Sequence, residues 1–358
     1  MRAALARLKA HERQLSALAM VGGFIFDNFA FGRIDHPATQ IVFTGYLLFA
    51  AISIAVHHSC EARAEHRGEV FRWRAVASAL TQFALGALWS AFLIFYSRSS
   101  AVIVSWPFLA VLAAILLGNE FLRSYHARLV FTVVLFFIAL FSYMTIALPI
   151  AVGTMDEFTF LLSGAATLIV FAAYLILLAL LGRQRVWNDI GKISLGALAA
   201  FCAINLFYFF NLLPPIPLAM SDSGIYHKVT RENGGYRAVG EPVPWQVKFG
   251  QTQDVHLKPG EPLYAYSAVF APIALKTRIV HRWQYHDAKT GWTTASTIGF
   301  PITGGRDNGY RGFTQKSNLR PGAWRVDVET PDHRVIGRLR FNISWVTTEP
   351  TLQTRDLK

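Results

Sequence analysis

Cysteine is nearly absent: Cys60 and Cys202 are the only two in 358 residues, and none follows Cys202. That excludes a disulfide framework in the C-terminal part, and a cysteine-free domain is compatible with an oxidising compartment. Charge is scarce as well. Only 16% of residues are charged, against about 25% in ordinary soluble chains. Acids are the scarcer sign, with 22 Asp and Glu against 34 Lys and Arg. Catalytic signatures are missing too. There is no His-Glu-x-x-His, no Gly-x-Ser-x-Gly, no phosphate-binding glycine–lysine loop and no Rossmann glycine fingerprint. Neither an enzyme of those classes nor a cofactor is expected. No 20–50-residue repeat occurs, which excludes solenoids and propellers.

What the chain has is long apolar runs, and 53% of it is hydrophobic. The stretch Ile193 to Ser221 organises the whole. It is about one bilayer of apolar residues, the length a membrane helix needs, and Pro214, Pro215 and Pro217 close it. Proline removes a donor N–H and disfavours helix before it, so the helix should stop near Leu213. Seven such segments occur, roughly Leu15–Gly32, Ile41–His57, Ala75–Tyr96, Ala101–Leu117, Leu129–Val152, Phe158–Leu181 and Ile193–Leu213. The first resembles a secretory signal. It is interrupted by Asp27 and lacks a small-x-small cleavage site, so it reads as a retained membrane helix.

Cytoplasmic loops are enriched in Lys and Arg. Taken alternately, the N-terminus and the loops after segments two, four and six carry 13 such residues, from Arg2 to Lys192. The opposite short loops carry only Arg33 and Arg98. This places the N-terminus in the cytoplasm. Because seven is odd, the C-terminal part lies outside, in the periplasm if the cell has two membranes and this is the inner one.

Residues 214–244 are rich in Gly, Pro and polar residues and read as a loose tether. From Trp245 the pattern has period two. Trp324, Val326 and Val328 alternate with Arg325, Asp327 and Glu329, and Ile279, His281, Trp283 and Tyr285 share one side. About seven strands in about 100 residues imply an all-β, immunoglobulin-like sandwich. The expected domains are therefore a seven-helix transmembrane domain over 1–213, the tether, a β-sandwich over 245–346 and a flexible tail over 347–358.

Several runs carry a family resemblance: His281-Arg282-Trp283, Tyr310-Arg311-Gly312-Phe313, Pro321-Gly322-Ala323-Trp324-Arg325-Val326-Asp327-Val328, and Ile336-Gly337-Arg338-Leu339-Arg340-Phe341. Over roughly Val280–Ile343 the chain resembles the bacterial family called domain of unknown function 2914. The resemblance implies an envelope membrane protein with a small extracytoplasmic domain and brings no activity with it. Gly22 to Asp27 in the first segment is also similar to the membrane part of some such proteins.

Asp27 is the first candidate for function, because an ionisable group within a membrane helix is costly. Arg98 and Asn205 should lie at comparable depth. The cluster would receive a lipid head group or couple to protons; the structural alternative is that Asp27 pairs with Arg98 or Asn205 to hold the bundle. His57, His58, Cys60 and His66 form a Cys/His-rich patch whose spacing fits no standard metal site. In the C-terminal part, Arg282, Arg311, Arg325 and Asp327 would make a polar sheet face. Arginine forks suit carboxylates and phosphates, and Arg325–Asp327 ion pairing is the alternative. Trp245, Trp292 and Tyr310 would stack on a sugar or grip a peptide, or close the ends of the core. His281 reads as a partnered core histidine.

The function expected is a non-catalytic periplasmic sandwich, anchored in the bilayer, that binds an envelope glycan, anionic lipid, peptide or protein. The alternative is a lipid-acting enzyme or carrier with its site near Asp27. Neither a metal nor a nucleic acid is expected as a partner.

Overall fold

The computed structural model describes residues 36–67, 71–98, 102–121, 129–214, 218–232, 235–244, 247, 251–271, 276–303 and 309–357. The first apolar segment, with Asp27, lies outside them, as does Trp245. The chain divides into two compact units, with the main boundary between Leu213 and Pro214.

The first unit is helical. Its helices are α1 (Pro37–Arg67), α2 (Phe71–Arg98), α3 (Val102–Phe121), α4 (Leu129–Val152), α5 (Glu157–Leu181) and α6 (Arg183–Phe209). All but α3 are long and apolar enough to cross a membrane; the apolar part of α3 is shorter, Ser105–Gly118. Pro107 falls in the second turn of α3 and Pro149 in the last turn of α4, and each lacks the N–H that would bond the carbonyl four residues earlier.

Small polar groups tie these helices together. Thr44 and Tyr143 join α1 to α4 at 2.7 Å, Tyr96 and Thr145 join α2 to α4 at 2.9 Å, and the Tyr174 hydroxyl donates to the Ala51 carbonyl at 2.9 Å. The last basic loop expected from sequence is instead helical. Only Gly182 separates α5 from α6, so Arg183, Arg185 and Lys192 stand on the first turns of α6.

The second unit is all β. Its strands are β1 (Ala219–Tyr226), β2 (Lys228–Glu232), β3 (Gly235–Gly240), β4 (Gln253–Leu257), β5 (Leu263–Phe270), β6 (Lys276–Asp287), β7 (Gly291–Thr303), β8 (Tyr310–Lys316), β9 (Gly322–Glu329), β10 (Val335–Trp345) and β11 (Gln353–Leu357). They form three sheets, ordered β1-β5-β8, β4-β10-β9-β6-β7 and β11-β3-β2. All pairs are antiparallel except β4 with β10.

The main core lies between the first two sheets. Ile225, Leu263 and Ala265 from one meet Trp283, Trp324, Val326, Phe341 and Ile343 from the other. A second cluster, Tyr226, Val229, Ala238, Tyr266, Ala268 and Leu357, joins the β1-β5-β8 sheet to β11-β3-β2. The β1-β5-β8 sheet is thus covered on both faces, and seven of the eight residues of β5 are buried.

Two expectations are corrected here. Residues 214–244 are no loose tether: they contain β1, β2 and β3, and Ile225 belongs to the core. Residues 347–358 are no flexible tail: β11 pairs with β3 from Gln353↔Gly240 to Leu357↔Tyr236. In both places composition misled, because the strands gain their stability from partners far away in sequence.

Candidate functional site

The five-stranded sheet has one apolar and one polar face. On β9, Trp324, Val326 and Val328 enter the core, so Arg325, Asp327 and Glu329 occupy the other face. Register adds the neighbours. Arg282 of β6 and Arg338 of β10 flank Asp327. Gln284 of β6 and Arg340 of β10 flank Arg325 in the next row. His286 opposes Trp292 of β7 in the third.

Asp327 and Glu329 are 0% exposed although they face away from the core. Arginine explains how the charges persist. Arg338 donates to both Asp327 oxygens, Nε to Oδ1 at 2.6 Å and Nη2 to Oδ2 at 2.8 Å. Such a fork is a strong, oriented pair. Arg282 Nη2 lies 2.8 Å from Glu329 Oε2 and 3.8 Å from Asp327 Oδ2, and His333 Nδ1 lies 3.1 Å from Glu329 Oε1. Burial holds the Glu329 carboxyl above its usual range, against the opposing pull of His333 and Arg282.

Arg325 does not pair with Asp327, the ion pair weighed from sequence. Its Nε donates to Gln284 Oε1 at 2.7 Å, and its Cζ sits 4.4 Å from the centre of the Trp292 ring. That is cation–π geometry. The His286 ring packs edge-on against Trp292 at 5.0 Å. Burial lowers the Arg325 pKa, and the charges of Arg338, Arg282 and Arg340 act in the same direction. Trp292 remains 37% exposed. The face therefore offers a half-exposed indole beside a crowded group of guanidinium ions, an arrangement suited to anions and flat rings.

Of the residues singled out from sequence, Arg282, Arg325 and Trp292 come together here. Arg311 does not: it sits on β8 opposite Ala268, in a different sheet, where its buried Nε has no hydrogen-bond partner. Asn205 bonds within its own helix, Nδ2 to the Phe201 carbonyl at 2.8 Å. The side chain of Arg98, which ends α2, and all of Asp27 lie outside the described residues. Tyr310 packs against the core.

His281 is fully buried, with Nε2 2.8 Å from Ser267 Oγ and Nδ1 2.9 Å from Thr314 Oγ1. The Trp283 indole also donates to Thr314 at 3.0 Å. Burial pushes the His281 pKa down to about 3, so the ring is neutral and one nitrogen can donate while the other accepts.

Two polar groups escaped the sequence reading. Glu61, 5% exposed, pairs with Arg185 and lies 3.5 Å from His57, beside a cleft with room for about one water. A signal existed, since Glu61 follows His57 by four residues in an apolar segment. Glu241 accepts from the backbone N–H of His256 at 2.7 Å and lies 2.7 Å from His256 Nδ1 and 3.1 Å from His227 Nε2. Burial would raise its pKa, but these hydrogen bonds outweigh it and the net shift is downward. No local pattern links those three positions. Among the described residues no group of three or more His, Cys, Asp or Glu is arranged to hold a metal.

No curated protein matches the chain. Among solved structures, the β-glucosidase of Listeria innocua in complex with gluconolactone is similar over 35% of this chain and 16% of its own, at 14% identity and a TM-score of 0.20. An alkylpurine DNA glycosylase of Pseudomonas fluorescens is similar over 87% of this chain and 99% of its own, at 12% identity and a TM-score of 0.21. This chain thus spans only 16% of the β-glucosidase. Likeness at these scores bears on neither fold nor function. Residues 276–343, which hold β6, β7, β8, β9 and most of β10, match the family described as protein of unknown function, DUF2914.

Proposed function

We propose that the chain is a multi-pass inner-membrane protein, with seven spans counting Leu15–Gly32, that carries a non-catalytic β module in the periplasm. In this reading the two sheets around the main core form an immunoglobulin-like sandwich, to which β2, β3 and β11 are added. Its polar face binds an envelope glycan, peptide or protein.

The helical surface supports the membrane part. Phe158, Ile169 and Phe210 are each 71% exposed and Leu180 is 80% exposed, a cover suited to lipid rather than water. The loop asymmetry in Lys and Arg supports the orientation.

The observation that carries the binding role is the Trp292–Arg325 platform. Tryptophan and arginine dominate binding hot spots, where truncation costs about 2 kcal/mol or more. Purified full-length protein in detergent, titrated with isolated envelope fragments, tests it. Trp292→Ala should weaken binding by about tenfold or more at unchanged melting temperature. Equal binding by wild type and variant would refute the role of this face.

A further inference from the structure

The rows on the arginine face are unequally balanced. In the row Arg282–Asp327–Arg338 each guanidinium lies within reach of a buried carboxylate. In the next row, Gln284–Arg325–Arg340, two arginines stand directly opposite on adjacent strands and the third residue is neutral. Like charges directly opposed across a sheet are destabilising. Among the described residues neither Arg325 nor Arg340 forms an ion pair. Arg325 is held in place all the same, by Gln284 at Nε and by the Trp292 ring, whose centre lies 4.4 Å from its Cζ. Its two Nη groups remain available.

We infer that Arg325 and Arg340 form an oxyanion subsite that takes a phosphate or carboxylate carried on a sugar, with Trp292 as the platform for the sugar ring beside it. The inference rests on the binding role proposed above and names the ligand class. Planar guanidinium forks on directly opposed residues of neighbouring strands suit the oxygens of such a group. An anionic membrane surface fits less well. Clusters of about 4–8 basic residues read as lipid-binding, and here Arg282 and Arg338 are already engaged by Asp327 and Glu329. Two guanidinium ions without an ion-pair partner among the described residues, one of them over the indole and the other directly opposite it on β10, fit a single charged sugar.

The test uses the full chain in nanodiscs of zwitterionic lipid, titrated calorimetrically with an oligogalacturonate, a phosphorylated oligomannoside and an uncharged maltooligosaccharide. At least one anionic probe should bind about tenfold more tightly than the neutral one. Arg340→Gln should remove that preference while leaving the melting temperature unchanged or higher, because it relieves an opposed pair.

A fall in melting temperature would make Arg340 structural and overturn the inference. Equal binding of neutral and anionic probes, lost in Trp292→Ala but kept in Arg340→Gln, would overturn it and leave the binding module standing. Absence of binding by both anionic probes would overturn it too. So would tighter binding to vesicles containing phosphatidylglycerol than to either anionic oligosaccharide, which would make the ligand a lipid surface.

Discussion

Asp327 and Glu329 show how far a single residue can be read from its strand. Their parity puts them opposite the core, and parity alone predicts two solvated acids. They are fully buried because Arg282 and Arg338 arrive from strands on either side. Cross-strand register is information no local window contains. His281 was legible, since it shares parity with Ile279 and Trp283, yet its partners Ser267 and Thr314 come from two other strands.

The buried His281 carries a pH prediction. Its folded pKa, about 3, lies below the ordinary value of 6.5. The unfolded chain therefore binds the extra proton first. The stability contributed by the neutral ring is complete above about pH 6.5 and is lost as pH falls towards 3, at up to about 1.4 kcal/mol per unit. Thermal melts of wild type and His281→Gln across that window should converge towards low pH as the wild type loses stability faster. Parallel curves would contradict the assignment.

At the scale of elements, helices and amphipathic strands were legible and the supporting strands were not. Five of the seven apolar segments fall in helices long and apolar enough to cross a membrane, a property of composition and length. β6 and β9 announced themselves by alternation. β1 did not, because Ser221, Asp222, Ser223 and Gly224 look like linker; its stability comes from antiparallel pairing with β5. Ile225 separates the two views. In a tether, Ile225→Ala would be nearly silent. In the core, 2% exposed against Leu263 and Trp283, it should cost about 2–5 kcal/mol in denaturant unfolding of the β unit. A loss below about 0.5 kcal/mol would restore the tether.

At the scale of the whole molecule an apolar helical unit is followed by an all-β unit whose five-stranded sheet has one polar face. The helices were visible because lipid-sized apolar runs are hard to disguise. The face was half visible, in Arg282, Arg325 and Trp292, and half hidden, in Gln284 and in the pairing of Arg338 with Asp327 that only cross-strand register reveals. Everything proposed for that face requires it to meet the envelope and not the cytosol. Fusing reporters after Lys358 measures this directly. The account predicts that an enzyme active only in the periplasm works there and one active only in the cytosol does not. Cytosolic activity at Lys358 would contradict it.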